Sequence, residues 1–276
     1  MRGAGPLPRR EILSEETTRA RENPMTASPT AAASVLHRAA PLLRLPPDAQ
    51  VGPGGVLDLL GTRFAPTPTQ RMLDTRFTAW FYDVTRNALA PVVGMSRFAQ
   101  EAQEVADRLA LVSGDAVLDV ACGHGNFTVE IARRVGPQGL VVGLDISAAM
   151  LARAASRVAR AGLTNVLLVR GDALALPVRD GAFAKVNCSG GLHQLPDLER
   201  ALAEFARVAA PGARFAASGF GEVGEGSGGW KAWMRRRLAL HVVPLAPLAR
   251  ELERAGFERV ATEVAGPVGY AWGQRA

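Results

Sequence analysis

Val117-Leu118-Asp119-Val120-Ala121-Cys122-Gly123-His124-Gly125-Asn126-Phe127 reads as a buried strand, a tight glycine loop and the start of a helix. Val117, Leu118 and Val120 suit a parallel strand covered on both faces. Gly123 and Gly125 let the backbone turn sharply and come close to a ligand. The helix expected over Phe127–Val135 opens just past the loop, so its free N–H groups lie near whatever the loop holds. Asp119, at the end of the strand, faces the same loop. The combination is a cradle for a nucleotide-like cofactor.

A dinucleotide fingerprint requires G-x-G-x-x-G after the strand. Aligned at Ala121, the first glycine is missing; aligned at Gly123, the third becomes Thr128. A pyrophosphate at the helix N-terminus would also sit poorly beside the Asp119 carboxylate. A cationic ligand without phosphate, such as S-adenosylmethionine (SAM), with its sulfonium and ammonium groups, fits better.

The segment resembles motif I of the class I SAM-dependent methyltransferases, D-x-G-x-G-x-G, with Ala121 where the first glycine stands. Further pieces follow in the family's order. Leu140–Asp145 reads as a second buried strand ending in an acid, and Val166–Val169 as a third, followed by Gly171-Asp172-Ala173. Lys185–Cys188 reads as a fourth strand. Leu192-His193-Gln194-Leu195-Pro196-Asp197 is similar to the family's L-H-H-L-P-D. A helix over Leu198–Ala209, a turn at Ala210-Pro211-Gly212 and a fifth strand over Arg214–Ser218 complete the pattern, which covers roughly residue 81 to the C-terminus.

The resemblance implies an α/β fold: a doubly wound, mostly parallel, seven-stranded Rossmann-like sheet with a helical N-terminal cap. It implies SAM as cofactor. Asp119, Ala121, Gly123 and Gly125 would form the loop, and Asp145 would accept both ribose hydroxyls, which a carboxylate can do. Ile146 and Met150 would pack on the adenine, with Asp172 and Ala173 at its edge. Ser189, beside Asn187 and Cys188, would meet the methionine part. Tyr82, in Phe81-Tyr82-Asp83, reads either as a ligand of the SAM carboxylate or as a core aromatic.

Three regions are expected. Residues 1–30 are rich in Pro, Ala, Thr and Arg without apolar periodicity and read as a disordered tail, with Met25 an alternative start. Residues 31–115 form an N-terminal extension and helical cap, including helices over Gln70–Ala90 and Ser96–Leu111. Residues 116–276 form the SAM-binding methyltransferase domain, closed by a hairpin of Arg259–Glu263 and Val268–Trp272. Val56–Gly61 resembles an element that follows a small zinc ribbon in rRNA guanine-N1 methyltransferases. The four ribbon cysteines are absent, so no metal is expected.

The chain's 276 residues are 48% hydrophobic, enough for one large domain with an added segment. No apolar run approaches the ~18 residues of a membrane span. Arg2, Arg9 and Arg10 are followed by Glu11, Glu15 and Glu16 rather than an apolar stretch, so no secretory signal is read and the cytoplasm is expected. Cys122 and Cys188 read as small buried thiols. The net charge of +6 is spread along the chain, and Lys185 and Lys231 are the only lysines. Arg235-Arg236-Arg237 reads as a solvated helix face before a phosphate patch.

These features favour a small-molecule acceptor over nucleic acid, and no N-P-P-Y-like motif for amino methylation of bases is present. The glycine-rich Gly219–Gly229 with Trp230 and Trp233 reads as a lid over an apolar substrate or as a loose connection. His193, just past the fourth strand, is the candidate general base, with loop ordering as its other role. His124 is expected to face solvent or substrate. Competing expectations are an rRNA or tRNA methyltransferase, a SAM-binding protein without methyl transfer, and a SAM fold repurposed for cyclisation or decarboxylation.

Overall fold

The structure, a computed structural model, describes residues 29–52, 54–60, 98–221, 242–265 and 268–276. The expected helix over Gln70–Ala90, Tyr82, the part of the lid from residue 222 onward, Arg235–Arg237 and most of the tail lie outside them.

Among the described residues the strands are β1 (Val56–Asp58), β2 (Ala116–Val120), β3 (Leu140–Asp145), β4 (Val166–Arg170), β5 (Phe183–Asn187), β6 (Ala209–Gly221), β7 (Val242–Val243), β8 (Phe257–Ala265) and β9 (Val268–Arg275). The helices are α1 (Pro29–Ala39), α2 (Phe98–Arg108), α3 (Asn126–Val135), α4 (Ala148–Arg160), α5 (Leu198–Val208) and α6 (Leu245–Arg254). They build one sheet in the order β1-β4-β3-β2-β5-β6-β9-β8, with β7 pairing alongside β6. Pairing is parallel from β1 to β6, and β9 runs antiparallel to β6 and β8. From β2 the chain moves outward through β3 and β4, then returns to lay β5 against the other side of β2. The reversal opens a crevice at the carboxyl ends of β2 and β5, where such sheets bind ligands.

Side-chain alternation explains the two layers. Leu118, Val120, Val142, Leu144, Leu167 and Val169 point into one core with residues of α1, α5 and α6. Val117 and Val141 point the other way, into a core with Ala102, Val105 and Leu109 of the α2 segment and Ile131 and Val135 of α3. At the far end, Phe215 packs between Phe205 and Phe257, with ring centroids 5.8 and 5.2 Å away. Each ring buried this fully contributes roughly 1.5–3 kcal/mol.

The seven expected strands are β2 to β6, β8 and β9, and two short ones widen the sheet. The N-terminal segment supplies β1, which pairs parallel with β4. It is not a ribbon: the described residues between 29 and 60 give a helix, a 3-10 turn and this edge strand, and Val35, Ala39, Leu43 and Leu57 enter the main core. Leu43 bridges Val178, while Arg44 N–H donates to the Pro177 carbonyl and Arg179 N–H to that of Leu42. The turn expected at Ala210-Pro211-Gly212 lies inside β6 as a bulge. Pairing steps from Phe183 opposite Ala209 to Lys185 opposite Arg214, and Gly212 takes φ 77°.

Candidate functional site

The glycine loop bends through the left-handed region at alternate residues: Ala121 at φ 54°, Gly123 at 55° and Gly125 at 78°. Only glycine enters this region freely, and an L-residue there costs about 1–2 kcal/mol. That accounts for the glycine of the motif at position 121 and marks Ala121 as strained. The Ala121 methyl also has a consequence across the site. A Cβ built on Gly191, in the loop after β5, would lie 2.5 Å from Ala121 Cβ. Gly125 is held differently, since a Cβ there would meet Ala154 Cβ of α4 at 3.0 Å. Beside Gly123, no described residue lies within 4 Å of a Cβ placed on it.

Two acids end adjacent strands. Asp145, half-buried, accepts the Gly123 N–H on Oδ2 at 2.8 Å and the Ser147 N–H on Oδ1 at 2.9 Å. A carboxylate oxygen can accept more than one hydrogen bond. Asp119 is buried, with Oδ2 accepting from Thr128 Oγ1 at 2.6 Å and Oδ1 from Asn187 Nδ2 at 2.7 Å. Asn187 Oδ1 in turn accepts from Ser189 Oγ at 2.7 Å. This chain ties β2 to α3 and β5 beneath the loop. Burial pushes the Asp119 carboxyl up to about 6; the Thr128 and Asn187 hydrogen bonds oppose the rise and the nearby Asp145 charge adds to it.

Ser147 caps α4 by accepting the Met150 N–H at 3.2 Å, which sets half-buried Ile146 and Met150 beside Asp145. Asp172, past β4, accepts the Leu174 N–H on Oδ1 at 2.9 Å and shapes the turn holding buried Ala173. His193 lies on a 3-10 turn, Leu192–Gln194, half-buried, its Nε2 3.4 Å from Gln194 Nε2. His124 is buried rather than turned to solvent, its Nε2 3.5 Å from Asn126 Nδ2. Arg157 Nε donates to the His124 carbonyl at 3.0 Å and anchors the loop backbone there. Cys122 and Cys188 are free and buried, and burial raises both thiols, so neither is a thiolate. The carboxyl edge of the sheet therefore assembles Asp119, Ala121, Gly123, Gly125, Asp145, Ile146, Met150, Asp172, Ala173, Ser189 and His193, drawn from β2 to β5 and the loops after them.

Sequence reasoning missed Thr128, whose hydroxyl engages Asp119, and Glu101 of α2. Glu101 is 2% exposed and accepts from Ser218 Oγ on β6 at 2.8 Å. Its signal is its spacing: position 101 falls beside the apolar stripe of Ala102, Val105 and Leu109, where a charged residue is buried if the helix packs.

The strand order and the loop geometry define the class I SAM-dependent methyltransferase fold. Residues 117–212 match the model of a family described as methyltransferase domain. The chain is 38% identical over 133 residues to a demethylmenaquinone methyltransferase of Shouchella clausii, covering 48% of this chain and 55% of that protein. It thus spans about half the length of the curated relatives it matches. Among solved structures, a SAM-dependent methyltransferase from Aquifex aeolicus superposes with TM-score 0.54 at 24% identity, covering 64% of this chain and 90% of that one. The [4+2]-cyclase SpnF superposes with TM-score 0.59 at 21% identity, covering 76% and 97%. These two likenesses establish the fold alone. Among the described residues no helix is long and apolar enough to cross a membrane.

Proposed function

We propose that this chain transfers a methyl group from SAM to a small-molecule acceptor with a quinol ring, of the demethylmenaquinone type. The observation that carries the cofactor half is Asp145. Its two oxygens are fixed by the Gly123 and Ser147 N–H groups at the end of β3, beside the Gly123 loop and one strand from where the order reverses between β2 and β5. A carboxylate held this way fits a pair of ribose hydroxyls, so the residues present fit SAM.

In this reading the cofactor lies across the carboxyl edge. Ile146, Met150 and Ala173 cover the adenine and Asp172 accepts from its amino group. The backbone at Ala121, Gly123 and Gly125 supports the methionine part, beside Ser189. Asp119 acts from beneath by holding Thr128 and Asn187, and its negative charge favours a cationic ligand. Tyr82 lies outside the described residues, and its two readings, ligand of the SAM carboxylate or core aromatic, both stay open. Bound SAM supplies an electrophilic methyl on a sulfonium, and the chain's task is to align an acceptor roughly 3 Å from it in a dry pocket. His193 stands at the same edge as a candidate base. The identity to demethylmenaquinone methyltransferases supports the acceptor class. Two free, buried thiols support the cytoplasm as compartment.

Calorimetry with SAM, followed by turnover of a reduced 1,4-naphthoquinone bearing a prenyl chain and lacking the ring methyl, tests the proposal. SAM binding with methylated product is the expected result. SAM binding with turnover of RNA but not the quinol would replace the acceptor class. SAM binding without any transfer would leave a binding protein.

A further inference from the structure

Helix α2 crosses the sheet antiparallel to the strands. Its C-terminal end meets the early part of β5 and β6: Lys185 Nζ donates to the Leu109 carbonyl at 2.8 Å, and Arg214 to the Arg108 carbonyl at 3.4 Å. Its N-terminal turn therefore lies toward the carboxyl edge, where Glu101 accepts from Ser218 Oγ at 2.8 Å. Ser218 belongs to that edge directly, because its carbonyl accepts the Gly190 N–H at 2.7 Å, one residue from Ser189. Phe127, in the first turn after the glycine loop, reaches within 4.0 Å of a Cβ built on Gly190.

If the adenine lies over β4 and the ribose at β3, the methionine end lies at β2 and β5. The methyl group then leads toward β6, where Glu101 is fixed. Glu101 is 2% exposed and its carboxylate is held by Ser218, so it is fixed in one orientation at this edge. We propose that Glu101 is a catalytic base facing the acceptor, held in place by Ser218, and that the acceptor carries an aromatic hydroxyl. This rests on the methyltransferase reading above.

The step balances as follows. The acceptor O–H proton passes to Glu101, and the electron pair it leaves enriches the adjacent ring carbon. That carbon's pair forms the bond to the methyl group as the S–CH3 pair returns to sulfur. The ring then loses its own C–H proton to solvent and regains aromaticity, and Glu101 releases its proton to solvent. One C–C bond forms, one C–S bond breaks, and two protons leave; the ring oxygen, left as an oxyanion, takes one proton back from solvent on release.

The test uses the full chain and the same prenylated, demethylated 1,4-naphthohydroquinone. Glu101→Gln keeps the shape and an acceptor oxygen for Ser218 but cannot take a proton. It should lower kcat by about a hundredfold, with KM, SAM affinity and Tm close to wild type. Ser218→Ala keeps the carboxylate and loosens it, and should lower kcat by roughly tenfold. A Glu101→Gln protein within about threefold of wild-type kcat overturns the assignment. So does the pattern in which His193→Ala loses kcat and Glu101→Gln does not. A drop in kcat that follows lost Tm or SAM affinity assigns Glu101 to structure and also overturns it. Wild-type protein that binds SAM but leaves the quinol unmethylated overturns the Glu101 role together with its acceptor. Failure to bind SAM at all overturns the methyltransferase reading itself.

Discussion

Asp119 and Asp145 end neighbouring strands in the same sheet, yet one is sealed and the other is open. Asp119 is 1% exposed, and both its oxygens engage side chains of other elements, Thr128 from α3 and Asn187 from β5. Asp145 is half-buried, and both its oxygens engage backbone N–H groups of the loops that frame the crevice. The same residue type thus ties the scaffold together in one case and stays partly exposed at the crevice in the other. The difference comes from which elements converge on each strand end. Strand β2 is central, flanked by β3 and β5, and α3 folds back over it; β3 ends beside loops that stay partly open.

Removing each acid should break the comparison in opposite ways. Asp119→Ala leaves the Thr128 hydroxyl and the Asn187 amide buried without their acceptor, at about 1–3 kcal/mol each. The expected loss of stability is on the order of 3–5 kcal/mol in urea denaturation, the largest effect in the site. A loss confined to SAM affinity would mean Asp119 is a ligand contact after all. Asp145→Ala should instead weaken SAM binding by roughly 1.5–3 kcal/mol, the scale of hydrogen bonds to a charged group. Calorimetry on the folded variant decides it, and unchanged affinity would remove Asp145 from the ribose.

A smaller effect sharpens the contrast. Because burial raises the Asp119 carboxyl to about 6, the native protein holds that proton more tightly than the unfolded chain does. Its contribution to stability is therefore full below the ordinary carboxylate range and is lost as pH rises through about 6. Denaturation of wild type minus Asp119→Asn should show this loss, on the order of 1–2 kcal/mol between about pH 4 and 7. SAM affinity should move the other way, rising across the same interval as the carboxylate ionises. A difference curve flat with pH would mean the group is already ionised at the acid end of that interval.

The sequence makes the open acid legible and hides the role of the sealed one. Strand, glycine loop and helix follow each other within a dozen residues, and the next strand ends in its own acid, so local pattern alone locates Gly123, Gly125 and Asp145. The burial of Asp119 depends on Asn187, which arrives only when β5 pairs with β2. Long-range pairing hides β1 for the same reason: three residues carry too little periodicity, and their partner β4 lies more than a hundred positions away. The bulge at Ala210–Ala213 reads as a turn because Pro211 and Gly212 punctuate it, but the strand resumes its pairing with β5 at Arg214. Glu101 escapes sequence reasoning because a charge beside an apolar stripe reads as solvated, and only packing of α2 on β6 and α3 buries it.

Ala121 and Gly191 carry one further consequence, for the order in which mutations can accumulate. With alanine at 121, a side chain at 191 collides with its methyl at once, so position 191 is locked to glycine. Glycine at 121 would relieve the strained backbone and clear the methyl contact, leaving the Ala121 carbonyl oxygen and Cys188 Sγ at 3.5 and 3.6 Å, ordinary contact distance for a small side chain at 191. The two positions are epistatic, and the path is directional: 121 must change first. A library randomised at both should recover substitutions at 191 only in clones whose alanine at 121 has given way to glycine.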